Sequence, residues 1–204
     1  MEKNTVSFKK FALQLESLGI TGITKEQIET MEGFYEGMSA ELREELDMFP
    51  VFLSQIGYGT YDYDTCEWIP SSKFIYSFDT EVFDCSVMYA EFLNGIQVIS
   101  NNEFIISEVY EEVSEEDFAI GTGKQTVHFK YNDTTYSFEA KLMYDWFDVD
   151  MLKFMNQVFL KEGNPKRLFC MGDGGQNCIV FYCTKEWAEQ FEMTTGYTLH
   201  CDTY

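Results

Sequence analysis

Apolar positions recur three and four apart through residues 1–57 and then give way to alternation, a change of period that separates a helical part from a strand-rich part. Phe8, Phe11, Ala12, Leu15 and Leu18 follow Ser7 at helical spacing, and Gly19 supplies a stop. Thr24 with Gln27 makes a capping box for a second helix, whose apolar stripe is Ile28, Met31, Tyr35 and Met38. A third helix is expected from Ser39 through Leu42, Leu46 and Phe49. Pro50 should break or kink it before Phe52, Leu53 and Ile56, and Gly57-Tyr58-Gly59 closes the helical region.

Strands then dominate. Phe74, Tyr76 and Phe78 alternate with less apolar neighbours, Asp84 is placed to cap a helix over residues 85–96, and Phe104-Ile105-Ile106 reads as a short strand. Val127, Phe129 and Tyr131 face Tyr136, Phe138 and Ala140 across Asn132-Asp133-Thr134-Thr135; pairing Tyr131 with Tyr136 puts all six on one side of a hairpin. Asp148 or Asp150 opens a helix with Leu152, Met155 and Phe159 inward, ended by Gly163 and Pro165. A second hairpin joins Leu168–Met171 to Cys178–Cys183 around Gly172-Asp173-Gly174-Gly175, and Thr184 caps a last helix carrying Trp187, Ala188 and Phe191 up to Gly196. This order predicts an α+β fold, N-terminal helices followed by an antiparallel sheet with intervening helices. It divides into an N-terminal helical region, 1–57, packed on an α+β domain, 58–204.

Composition agrees with a folded body. Of 204 residues, 45% are hydrophobic and 17% aromatic, which is ample for a core and unlike a disordered acidic tail. Residues 1–5 lead into an amphipathic pattern with no apolar signal segment, and the longest apolar stretches, such as Cys178–Cys183, are strand-length. The six cysteines are read as reduced thiols. Together these features predict a soluble, cytoplasmic protein.

Charge changes the picture more. The chain carries 35 acidic and 14 basic residues, a formal net charge of −21. Residues 61–120 hold 14 of the acids and a single base, Lys73, with their densest run from Glu108 to Asp117. Such a field repels nucleic acid and anionic lipid and attracts basic surfaces. A charge run is ordinarily a solvated face. Here Tyr58, Tyr61, Tyr63, Trp68, Tyr76, Tyr89 and Tyr110 are interleaved with the acids, and amphipathic aromatics are the usual anchors of interfaces. The residues expected to meet a partner are Tyr61, Asp62, Tyr63, Asp64, Trp68, Glu111, Glu112, Glu115 and Glu116.

Catalytic motifs are scarce. Gly121-Thr122-Gly123-Lys124-Gln125-Thr126 resembles the end of a phosphate loop, but Phe118 stands where the first glycine belongs and Gln125 where a hydroxyl must follow the lysine. His128 sits opposite Glu139 in the expected hairpin register, a pairing suited to acid–base chemistry or simply to a wet sheet face. Cysteine and histidine spacing gives no zinc motif, and neither Asp62, Asp64 and Glu67 nor Asp145, Asp148 and Asp150 fits an EF-hand, so neither metal nor cofactor is expected. Asp148 and Asp150 are better explained as helix caps. No nucleophile elbow, His-Glu-x-x-His or dinucleotide fingerprint occurs, although scattered carboxylates suffice for some hydrolases.

The segment Pro50-Val51-Phe52-Leu53-Ser54-Gln55-Ile56-Gly57-Tyr58-Gly59 resembles the SUKH superfamily of bacterial immunity proteins, in which a helix with a proline and an aromatic leads through a glycine turn into the first strand. The paired glycines expected there are missing. The resemblance implies an α+β protein that binds and neutralises a toxin, and it transfers no catalytic residue. The leading expectation is therefore an immunity or inhibitor protein that occludes a basic partner such as a toxin or nuclease. The alternative is a hydrolase using scattered carboxylates with His128.

Overall fold

The computed structural model describes residues 6–62, 64, 67–82 and 85–202, and they form an α+β fold. Helix α1 (Phe8–Ser17) begins at the Ser7 cap, and α2 (Lys25–Gly37) at the reciprocal Thr24–Gln27 capping box. The third expected helix is two. After α3 (Ala40–Glu45), Asp47 accepts from the Phe49 amide and starts α4 (Met48–Tyr58). Pro50 thus lies in the first turn of a new helix, where its missing N–H costs nothing, and does not break an old one.

Strands β1 (Thr60–Asp62) and β2 (Glu67–Ile69) form a short ribbon. A central antiparallel sheet orders β3 (Tyr76–Asp79), β8 (Asn177–Cys183) and β7 (Arg167–Gly172), with β8 in the middle. Alternation along β8 gives each face its own core. Cys178, Val180 and Tyr182 join one cluster; Ile179, Phe181 and Cys183 join the other, with Phe8, Leu15, Phe49, Phe52 and Leu53 of the N-terminal helices and Phe191 of α8 (Lys185–Thr195). The helices of residues 1–57 therefore share their core with the C-terminal hairpin.

Helix α5 (Met88–Ile99) covers the opposite face. It starts after Val87, which offers no side-chain cap, so the helix begins later than 85; Asp84 lies outside the described residues. The sheet is gripped closely from both sides. A Cβ at Gly57 of α4 would stand 2.8 Å from Ile75 and 2.9 Å from the Ser77 amide, and one at Gly95 of α5 would stand 2.4 Å from the Tyr76 ring.

A second antiparallel sheet orders β4 (Ser107–Val113), β5 (Thr122–Tyr131) and β6 (Thr134–Met143), with the short helix α6 (Glu115–Ile120) between β4 and β5. Phe104–Ile106 is not a strand: Phe104 is a buried plug against Tyr131, Phe159 and Tyr182, and the strand begins at Ser107 and runs into the acidic segment. The β5–β6 hairpin turns on two residues, not four. Asn132 and Asp133 both take positive φ, 48° and 61°, which the tight hairpin turn requires and which these residue types tolerate, so Tyr131 pairs with Thr134. A slip of two positions preserves the faces: Val127, Phe129, Tyr131, Tyr136 and Ala140 are buried together as expected. Helix α7 (Asp150–Lys161) closes this core with Met151, Met155 and Phe159.

Candidate functional site

The two-residue turn decides which polar groups meet on the outer face of the second sheet. His128 lies opposite Ser137, and Glu139 opposite Thr126, so the expected His128–Glu139 pair does not form. Glu139 instead takes Lys124 Nζ at 2.5 Å. His128 has other company: Tyr110 pairs with it across β4–β5 and stacks on its ring, centroids 4.6 Å apart and planes 15° apart. Its Nδ1 is 2.7 Å from Ser137 Oγ, and its Nε2 is 3.2 Å from Glu112 Oε2. Serine, imidazole and carboxylate thus form one row across three strands.

The remaining lysines of this face also meet acids, Lys130 with Glu108 at 3.3 Å and Lys141 with Asp150 at 3.1 Å. Exposed pairs of this kind contribute little to stability. They do offset the local positive charge, so the acids of β4 and α6 set the sign of this side of the molecule. A register shift between Ser107 and Tyr110, with Glu108 at φ +51°, precedes the regular stretch of β4.

Along β4 the acidic run is split by strand alternation. Glu112 is exposed, whereas Glu111 points inward. Glu111 Oε1 accepts from the Tyr89 and Ala90 amides at 3.2 and 3.0 Å, and Oε2 accepts from Gln125 Nε2 at 2.5 Å. It is the cap that α5 lacks locally, placed there by a strand distant in sequence. Glu115 and Glu116 are exposed in the first turn of α6, which Ser114 caps through the Asp117 amide.

The other expected contact residues are less grouped. Trp68 is half-buried, donates from Nε1 to the Tyr58 carbonyl at 2.8 Å and packs edge-on against Tyr76 at 5.3 Å, so its ring belongs largely to the core rim. Asp64 is exposed; Tyr61 and Asp62 are placed in β1 by backbone pairing, and Tyr63 lies outside the described residues. Asp148 is buried, its carboxylate accepting from the Lys141 and Asp150 amides at 2.8 and 3.1 Å, which fastens β6 to the start of α7. It is a structural cap, although the N-cap position itself is Val149.

A cleft of about 250 Å³ opens between Leu18, Phe74, Phe181, Tyr182 and Trp187, with Lys166 at its lining. None of its described lining residues is a carboxylate, and most of them belong to the core that β8 shares with the N-terminal helices. The Ser137–His128–Glu112 row, in contrast, lies on an open sheet face and lines neither this cleft nor the shallow groove beside Phe34 and Leu42. Nucleophilic chemistry normally joins such a row to a concave, water-excluding site.

Two thiols, Cys170 and Cys178, share the face of the central sheet that carries Val180 and Tyr182. The Cys178 thiol donating towards Cys170 lowers the Cys170 pKa, while that same interaction, and then burial, holds Cys178 well above the ordinary value. Burial pushes Cys183 up to about 12. Iodoacetamide at neutral pH is accordingly expected to label Cys170 before Cys178 or Cys183, and Cys178→Ala to slow that labelling, read peptide by peptide by mass spectrometry. Equal rates at the three sites would contradict this ordering.

We find no family model, curated protein or solved structure that matches the chain. Among the described residues no helix is long and apolar enough to cross a membrane. Function must therefore be argued from the surfaces themselves. Ser137 and the exposed Phe118 and Ile120 of α6 are the members that sequence reasoning missed; Asn132-Asp133, as a two-residue turn, was the signal that would have found Ser137.

Proposed function

We propose that the chain is a binding module of immunity or inhibitor type that occludes a basic protein partner. The observation that supports this best is the open surface of β4 and α6, where Glu108, Glu112, Glu115 and Glu116 are exposed on either side of an exposed Tyr110 ring. Solvent-facing carboxylates steer a cationic surface into encounter, and an exposed aromatic supplies area to desolvate once it arrives. The helix carrying Pro50, the glycine turn at Gly59 and the strand β1 follow one another as in the SUKH resemblance, which supports the same reading. Binding would act by covering the partner's own site.

The test is the joint substitution Glu108→Gln, Glu112→Gln, Glu115→Gln and Glu116→Gln, with Glu111 left intact. Binding to a cationic nuclease, followed by titration calorimetry across salt concentrations, should weaken by about tenfold or more at low salt and lose much of its salt dependence. Unchanged affinity and salt slope would remove this surface from the interface.

The hydrolase alternative now rests on Ser137, His128 and Glu112, not on Glu139. Its support is the hydrogen-bonded row alone. Hydrolysis of p-nitrophenyl acetate that disappears in both Ser137→Ala and His128→Gln would favour it over occlusion.

A further inference from the structure

Helix α6 ends on Gly121 in the left-handed conformation, φ +79°, with its amide on the Asp117 carbonyl at 2.8 Å. Tyr144, itself at φ +57°, donates its amide to the Gly121 carbonyl at 2.5 Å. The Tyr144 ring lies against Gly121 so closely that a Cβ there would stand 2.5 Å from it. Gly121 is thus required twice, for its φ and for the ring that covers it. The consequence is that the end of α6 and the end of β6 are fastened together.

Phe118 is 52% exposed, Ile120 56% and Tyr144 64%. Met143, paired with Thr122 and bridged to Trp146, is 39% exposed, and Trp146 is 38% exposed. Single exposed apolar residues need no explanation, but Phe118 and Ile120 lie within three residues of Gly121, and Met143 and Trp146 within two of Tyr144, so the Gly121–Tyr144 contact sets all of them around one junction. Glu115 and Glu116 stand on the same short helix as Phe118 and Ile120.

We propose that this α6–Tyr144 junction is the apolar half of the docking surface, and that its occupant is a cationic protein segment presenting a large apolar side chain flanked by lysine or arginine. The inference rests on the binding-module reading and deepens it by naming where the partner loses water. Charge complementarity selects this occupant. A second copy of the chain would bring the same glutamates face to face in a two-fold contact, with −21 on each molecule. A cationic segment neutralises Glu115 and Glu116 while its apolar side chain covers Phe118, Ile120 and Tyr144.

The experiment uses the full chain and two fluorescein-labelled peptides of equal length, one alternating lysine with leucine and one of lysine alone, read by fluorescence anisotropy. The lysine–leucine peptide should bind about tenfold tighter, because only it can cover the patch. Phe118→Ser with Ile120→Ser, which leaves the Tyr144–Gly121 contact intact, should abolish that preference and leave the lysine peptide unchanged; Tyr144→Ser should reduce it. Glu115→Gln with Glu116→Gln should weaken both peptides. If the preference survives in the serine variants while the glutamine variant loses affinity, the junction is not the docking surface and the acidic reading stands. If neither peptide binds at low salt, both readings fall. Self-association in sedimentation that vanishes in the serine variants would assign the patch to a second copy and overturn the proposal.

Discussion

Replacing Gly95 with alanine should destabilise the protein by about 3 kcal/mol, because the added methyl has no room and the obstacle has nowhere to go. Its Cβ would stand 2.4–2.5 Å from three atoms of the Tyr76 ring. That ring is only 5% exposed and is held by Trp68 edge-on at 5.3 Å and by Phe78 stacked at 5.3 Å. The helix would have to lift from the sheet. Denaturant unfolding measures the loss, and a double-mutant cycle identifies its cause: in a Tyr76→Leu background, Gly95→Ala should cost far less. Equal costs in the two backgrounds would mean that the ring is not what limits the approach of α5.

Glu111→Ala should cost about 2–4 kcal/mol of stability, although Glu111 belongs to the same acidic run as glutamates whose replacement should leave stability almost unchanged. Its carboxylate satisfies two amides at the start of α5 and the amide group of Gln125, itself 2% exposed. Removing it takes this acceptor from the Tyr89 and Ala90 amides, leaves the Gln125 side-chain amide with the Cys85 carbonyl at 3.1 Å, and takes negative charge from the positive end of the helix dipole. Glu112, Glu115 and Glu116 changed singly to glutamine should each move stability by less than about 0.5 kcal/mol. Urea midpoints of the four variants would separate the groups, and a Glu111→Ala midpoint matching the others would return Glu111 to the surface set. This bears on function directly. Neutralising the whole run at once would confuse a loss of folding with a loss of binding.

Features set by neighbours in sequence were legible before the fold was known. The Ser7 and Thr24 caps, the Thr184 cap of α8, the glycine stops and the buried face of the β5–β6 hairpin all follow from residues within a turn or a strand of one another. Hairpin register was not, because a slip of two leaves the apolar pattern unchanged and only the turn distinguishes the alternatives. That slip replaces Glu139 by Ser137 as the neighbour of His128. The start of α5 was illegible for another reason: its cap comes from β4, and a local reading looks for it at Asp84. Charge counting also concealed a strand, since Val109, Glu111 and Val113 alternate with Glu108, Tyr110 and Glu112 while composition reports only a run of acids. The α6–Tyr144 junction had no sequence signal at all, because Gly121 and Tyr144 meet only once β5 and β6 have paired.

The place of β8 at the centre of the first sheet has a consequence for how the chain is made. Tyr76 pairs with Val180, and Phe52 and Leu53 share a core with Ile179 and Phe181. On the ribosome, the N-terminal helices and β3 emerge long before the strand that completes either core, and long-range pairing of this kind is slow to form. Until β8 is translated, the apolar sides of α1, α4 and β3 have no permanent cover. The nascent chain must therefore carry these apolar surfaces unfinished until β8 emerges, and net negative charge is one physical means of keeping such chains apart while they wait.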